Sequence, residues 1–529
     1  MISFENINEA VALTKQGKYS EAEQIYLGLL NENPNEHVLL SAFGLFYINC
    51  GNYDKAIDLL LKACNIKETL GTVSALGFAE FELRNYKNAA SYLEKSLDFG
   101  NNPDIYNKLI LSLFETKDYK KAIEYANKMF ELYPKDYRAV ANQVKSLTQQ
   151  GKLLEAETLC VTKLKENPEV TCLWFHLGYL KELIYSDDTQ AKECYKAASA
   201  LGAKEADYNI AVSHMKLGEF EQAEYHYKKM LENFPNDTDT ITSLGMCYLT
   251  QKKFKQGYEL FFNRNKTELN KKTNNPWEPK DKLGENIVVM CDQGFGDHIQ
   301  FIRYVPFLES KSIQVAAPKN LKKLFEQNYP KIEFIDYDSI NPETQSIRIS
   351  DLPYALDIDF DNIPFTEGYL DVPTKEIKNE KLKIGLCWEA GSAGIRTMIN
   401  RTINIKCFEE LLNLENIQIY SFQVKDTLNG NEKYPQMINL AKDFNDFYDT
   451  AQAIKSMDIM ITVDTSVAHL SGALGAKTYL LLPYASDWRW FRDTKATPWY
   501  DSVEIFKQTD SISWEEPIKN IIQILKRQK

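Results

Sequence analysis

The stretch "DIMITVDTSVAHLSGALGAKTYLLLP" (Asp458 to Pro483) decides the class of the C-terminal half. An apolar run of strand length ends at Asp464. A helical pattern then opens with Thr465 and Ser466, and a second apolar run, "TYLLLP", closes the unit. Strand, crossover helix and strand imply a parallel sheet. The first turn of such a helix offers free backbone N–H groups and the positive end of a dipole, which suits an anion. Thr465 and Ser466 add hydroxyl donors, and His469, four residues after Thr465, shares their face. The alternative local reading is a buried unit with a satisfied core histidine.

Working outward, short β-type runs alternate with helical patterns on both sides of the polar "TKEIKNEK" (Thr374 to Lys381). One series, residues 284–375, has strands at "NIVVM", "IQVAA" and "IEFI". The other, residues 383–529, has strands at "KIGLCW", "IQIYSF", "DIMITVD" and "TYLLLP" and ends on a helical "WEEPIKNIIQILKRQK". In the first series "DQGFGDHIQFIRYVPF" (Asp292 to Phe307) puts two glycines and an acid where a strand becomes a helix, the junction where α/β proteins place ligands. A P-loop is excluded, because no Lys-Ser/Thr follows the last glycine. The dinucleotide fingerprint is incomplete, since Ile299 stands where its third glycine belongs. A plain N-cap role for Asp297, with a helix starting at His298, is the local alternative.

The first half repeats. "GKYSEAEQIY" (from Gly17) returns as "GNYDKAIDLL", "RNYKNAASYL", "KDYKKAIEYA", "GKLLEAETLC", "DDTQAKECYK", "GEFEQAEYHY" and "KKFKQGYELF". The small residue recurs at Ala22, Ala56, Ala89, Ala122, Ala156, Ala191, Ala223 and Gly257, 32 to 35 residues apart. Pro34, Pro134, Pro168 and Pro235 mark ends of second helices. The period and signature resemble the tetratricopeptide repeat, so residues 1–265 read as about eight helical hairpins stacked in a superhelix. The small residue is expected where two helices cross, and the aromatic is expected to pack into the neighbouring unit. Residues 266–283, "KTELNKKTNNPWEPKDKL", read as a connector.

Bulk properties narrow the partners. A net charge of −12 disfavours phosphate backbones, so no nucleic acid is expected. No apolar stretch is long enough to span a bilayer, and the opening has no basic n-region. Nine cysteines without a C-x-x-C pair fit a reducing, cytoplasmic setting. "DYD" (Asp336 to Asp338) and "DID" (Asp357 to Asp359) mimic a metal-binding triplet, but 74 acidic residues produce such triplets by chance, and no metal is expected.

"DQGFGDHIQFIRYVPF", "GLCWEAG", "RTINIKCFEEL", "YSFQ" and "VDTSVAHLSGALG…LLPYASDWRW", in this order, resemble bacterial tetratricopeptide proteins with a glycosyltransferase family 9-like domain. The ADP-heptose heptosyltransferases belong to that wider family. The layout is distantly similar to O-GlcNAc transferase. The resemblance implies an α superhelix plus an α/β GT-B half, two Rossmann-like domains facing across a cleft: an acceptor side at 284–375 and a donor side at 383–529. In such folds the final helix often crosses back to the first domain. The resemblance makes Asp297 the general base. It places Gly294, Gly296, Trp388, Arg401, Gln423, Asp464, Thr465, Ser466 and His469 around a nucleotide-diphospho-sugar. The segment between Trp388 and Arg401 lacks the family's "GNP" and histidine, and "SFQVKD" replaces "SLQKG", so nucleotide and sugar stay open.

The implied activity is inverting sugar transfer to a hydroxyl, with the acceptor a protein or peptide on the repeats and no cofactor beyond the donor. Two alternatives stand beside it: a scaffold whose GT-B half binds a nucleotide without turning it over, and a transferase for glycan or lipid-linked acceptors with repeats used for assembly, including homo-oligomers. With alternating cores of their own, the two Rossmann-like halves are expected to fold without the repeats; the alternative is that the final repeat, around Gly257, packs on the first half and that its removal exposes apolar surface.

Overall fold

The structure, a computed structural model, describes residues 4–264, 271–391, 401–492, 494–509 and 513–527. The chain divides into two compact units, Met1–Tyr185 with Glu193–Ala203, and Ser186–Lys192 with Lys204–Lys529. Sixteen helices, from α1 (Phe4–Lys15) to α16 (Phe254–Phe262), follow one another in pairs. Each pair turns on one residue with positive φ: Gly17, Gly51, Gly151 and Gly218 near +75°, and Arg84, Lys117, Ser186 and Lys252 between 50° and 64°. That left-handed conformation is why glycine recurs at the head of the repeat signature.

The recurring alanines at 22, 56, 89, 122, 156, 191 and 223 are all fully buried. At Gly257 a Cβ would stand 2.6 Å from Leu249 Cγ, so the small residue there is a packing requirement. The prolines lie two residues past helix ends, as at Glu32 before Pro34. The signature aromatic does not always reach the next unit. Tyr19 meets Phe46 of the following pair, but Tyr86 packs edge-on to Phe81 and Tyr119 to Phe114, each in its own hairpin. Five residues separate each of those partners, so the local hairpin satisfies the ring first.

The α/β region holds two sheets. The first has order β3-β2-β1-β4: β1 (Asn286–Met290), β2 (Ser312–Ala316), β3 (Glu333–Ile335) and β4 (Gln345–Arg348), all parallel. The second has order β10-β11-β9-β8-β5-β6-β7: β5 (Leu382–Cys387), β6 (Ile417–Ser421), β7 (Ile438–Asn439), β8 (Ile459–Val463), β9 (Thr478–Leu482), β10 (Ala496–Thr497) and β11 (Tyr500–Lys507). Only β10 runs antiparallel to its neighbour. In each sheet the first reversal in the chain's direction of travel falls between β1 and β4 and between β5 and β8. Crevices at such reversals are where open α/β sheets bind ligands.

Three features sharpen these expectations. The described part of the connector packs on the first sheet: Trp277 is buried, and its backbone N–H donates to the Ser346 carbonyl on β4 at 2.7 Å. The last repeat packs on the sheets, the second of the two alternatives above: Phe254, Tyr258 and Phe261 share one core with Ile299, Trp488 and Trp499. Phe254 stacks on Trp499 at 5.7 Å and 10°. Arg264 then enters the reversal point of the first sheet, bonding Asp292 at 2.7 Å and Asp351 at 2.5 Å. Finally, the Glu515–Arg527 helix stays with the second sheet. Its Ile518, Ile521 and Leu525 share a core with Phe506 of β11 and Phe408. No described helix is long and apolar enough to cross a membrane.

Candidate functional site

Both reversal points open on one cavity of about 550 Å³. The first sheet contributes the turn after β1. Gln293 has φ +68°, Gly294 is extended, and the helix Phe295–Phe301 begins. Asp297 is therefore the third helical residue and not an N-cap. Its Oδ2 reaches back to accept the Gly294 N–H at 3.0 Å, satisfying one of the donors that a helix start leaves free. Its Oδ1 pairs with Arg489.

Gly296 has a different reason to be glycine. A Cβ there would stand 2.7 Å from His469 Cδ2. The two helices that line the cavity touch at this point, so the second glycine of "GFGD" is what lets them close.

The second sheet contributes the turn after β8. Thr465 is the N-cap of Ser466–Ala473, its hydroxyl accepting the Val467 N–H at 3.2 Å. Ser466 is half-buried beside it on the cavity wall. Asp464 accepts from Trp490 Nε1 at 2.9 Å and pairs with Arg401 at 3.2 Å. Burial pushes its carboxyl above the ordinary value. His469 is buried, its Nδ1 lies 3.0 Å from the Tyr500 hydroxyl, and its ring packs on Trp490 at 4.9 Å. Burial, with Arg489 nearby, pushes it down to about 3, so the imidazole is neutral across the physiological range.

Arg489 and Asp487 are residues that the sequence reading missed. They lie in "SDWRW", a stretch that carries the family resemblance but no motif chemistry of its own. Arg489 bonds Asp487 at 2.9 Å and Gln300 Oε1 at 3.1 Å besides pairing with Asp297. Arg401 reaches Asp487 at 3.8 Å. The cavity wall thus carries an alternating chain, Asp297, Arg489, Asp487, Arg401, Asp464. Burial opposes the charge on Asp487, but Arg489 and Arg401 outweigh it and hold its carboxyl below the ordinary value. Burial also opposes the Arg489 charge, and the flanking carboxylates raise its pKa in spite of it.

Two expected donor contacts stand elsewhere. Trp388 is fully buried in the core behind β5, where its ring fills the space beside Gly430. Gln423 is structural at its carbonyl: Oε1 accepts the N–H groups of Trp388 and Glu389 at 3.0 and 2.9 Å, tying β6 to the end of β5. It lines an adjoining cavity of about 270 Å³ that shares Phe295, Gly391, Thr465 and Ser466 with the first. The buried Glu389, also unforeseen, accepts the N–H groups of Thr427 and Leu428 and so fixes the loop after β6. The altered segment after Trp388 falls mostly on 392–400, outside the described residues.

Residues 39–70 and 205–237 each match a family model described as Tetratricopeptide repeat. The chain carries tetratricopeptide repeats. It is 22% identical to Protein FlbA of Caulobacter vibrioides over 449 residues, covering 74% of this chain and 73% of FlbA. Among solved structures, a tetratricopeptide repeat protein from Parabacteroides merdae matches at 16% identity and TM-score 0.37, covering 43% of this chain and 91% of its own. Yeast Tom70 matches at 17% identity and TM-score 0.38, covering 46% and 54%. The repeats suggest a protein or peptide partner.

Proposed function

We propose that the α/β half is an inverting glycosyltransferase of GT-B type that moves a sugar from a nucleotide-diphospho-sugar to a hydroxyl of a polypeptide acceptor. The observation that carries this is the meeting of two sheet reversal points at one cavity, with an acid from one and a helix start from the other. Asp297 accepts the proton of the acceptor hydroxyl as its oxygen attacks the anomeric carbon. The anomeric C–O bond breaks and the nucleoside diphosphate leaves with the electron pair. The backbone N–H and hydroxyl of Ser466 at the helix start, and the Arg401 guanidinium, are suited to the growing charge. Neutral His469 adds a hydrogen bond without a charge.

One observation favours a non-catalytic nucleotide-binding scaffold instead. Both guanidiniums are already paired with the three carboxylates, and both Asp297 oxygens are engaged. Thermal shift with a panel of nucleoside diphosphates and their sugar conjugates, followed by donor hydrolysis, tests both. A saturating donor raises stability by RT ln(1 + [L]/Kd). Stabilisation without hydrolysis or transfer supports the scaffold, and no stabilisation by any donor ends both readings.

A further inference from the structure

We propose that a third cavity, walled by the last two helix pairs and the Tyr484–Arg492 loop, receives a bulky apolar side chain of the polypeptide partner and lays the adjoining chain over the candidate site. This rests on the acceptor being a polypeptide, and it names the part of that acceptor which the protein grips. The cavity measures about 290 Å³. Its walls are Tyr208, Phe220 and Tyr227 from the repeats and Trp488 and Phe491 from the loop. Small-molecule and cofactor sites run from roughly 300 to 1,000 Å³, so this space suits one side chain. Aromatic walls supply the contact area, and the thioethers of Met215 and Met246 adapt to different apolar shapes.

Charge argues against an anionic ligand. Arg492, the cation on the wall, lies 4.3 Å over the Tyr484 ring and donates to the Lys216 carbonyl at 2.7 Å. The Tyr208 and Ser243 hydroxyls, 3.3 Å apart, form a small polar spot that a tyrosine or tryptophan can also use. Position argues for a polypeptide. Asp487 lines both this cavity and the candidate site. A side chain anchored here therefore leads its backbone past Asp487 toward Asp297, and its neighbours bring a hydroxyl within reach.

The test uses the full chain with ¹³C-methyl methionine, whose 10 methionines include eight internal controls. The probes are capped glycine–serine nonapeptides with phenylalanine, leucine, lysine or glycine at the centre. The phenylalanine and leucine peptides are expected to shift Met215 and Met246, with dissociation constants on the order of 1 mM or below for one buried side chain. The lysine and glycine peptides are expected to shift neither. Val212→Phe and Thr250→Phe, both at half-buried wall positions, should each abolish the response at unchanged melting temperature. Absent shifts with the phenylalanine peptide, or shifts that survive both filling variants, overturn the proposal. Shifts of the same methyls with protein concentration alone would assign the cavity to a second copy of the chain and also overturn it. Methyl shifts do not depend on turnover. Peptide binding without donor binding sinks the transferase reading alone, and donor binding without peptide binding sinks this one alone.

Discussion

The carboxylate of Asp297, on the first sheet's helix, and the guanidinium of Arg489, on the loop after β9, form an ion pair across the candidate cavity. Arg489 is also the partner of Asp487 at 2.9 Å, and its side chain is 11% exposed. Arg489→Met should therefore cost about 3–5 kcal/mol, the range for a buried pair that loses one member. Adding Asp297→Asn should recover part of the loss, since one stranded charge disappears. Urea unfolding of the single and double variants checks this. A loss under about 1 kcal/mol would mark the pair as solvent-screened.

Asp297→Asn alone separates structure from chemistry. The amide oxygen can still accept the Gly294 N–H, and Arg489 keeps Asp487 as a partner, so melting temperature should fall less than in Arg489→Met. Turnover should fall about 10²–10⁴-fold, the contribution of a positioned base, with donor affinity retained. Wild-type turnover in the folded variant would leave Asp297 as a structural residue only, through its helix-start bond and its pair with Arg489.

At the donor side, Thr465 and Ser466 should behave differently. Thr465 caps its helix, so Thr465→Ala should cost about 0.5–2 kcal/mol of stability, and Thr465→Ser should restore it. Ser466→Ala should leave stability within about 0.5 kcal/mol and weaken nucleotide binding by about 1–3 kcal/mol. Calorimetry on Ser466→Ala showing full affinity would remove the diphosphate from this helix start.

Much of this site was legible in local pattern. The strands β1, β2, β3, β5, β6, β8 and β9 fall where apolar runs place them, and the two turns announce themselves by glycine or by Asp-Thr-Ser after a strand. What stayed hidden depends on partners far along the chain. Arg489 is meaningful only because Asp297 lies 192 residues away. β4, "QSIR", ends in a charge that reads as a loop until Asp351 bonds Arg348 at 2.6 Å. β11 follows the two-residue β10 and carries Asp501 and Glu504, so its alternation is weak. Trp388 shows the opposite error: a large ring at a strand end looks like a ligand platform, and only the packing reveals it as core.

Gly296 and His469 should be coupled. Gly296→Ala forces a contact at 2.7 Å, which overpacking data put at about 1–3 kcal/mol. His469→Ala removes the obstructing ring, so the double variant should be less destabilised than the sum of the two singles. Additive losses would show that the clash is relieved elsewhere. His469 also sets a pH limit. Its folded pKa, pushed down to about 3, lies below the unfolded value. The unfolded chain then binds the extra proton, and stability falls as pH drops from about 6.5 toward 3, by about 1.4 kcal/mol per unit for this group. His469→Gln should flatten that slope in acid unfolding.

The last prediction concerns where the α/β half begins. Its alternating strands suggest a start at the connector, but Phe254, Tyr258 and Phe261 are buried in the core that holds Trp488 and Trp499. Arg264, 5% exposed, is the partner of Asp292 and Asp351 at the end of the first sheet. A chain starting at Lys271 would lose those rings and leave two buried acids with one fewer guanidinium. Removing one member of such a cluster costs about 3–5 kcal/mol, before the cavity left by three aromatic side chains is counted. It should aggregate or unfold. A chain starting at Lys204 keeps both hairpins next to the sheets, and it should fold cooperatively with donor affinity intact. Parallel expression and urea unfolding of the two chains decide the point, and a soluble, cooperative Lys271 chain would show that the last hairpin is an accessory to the core.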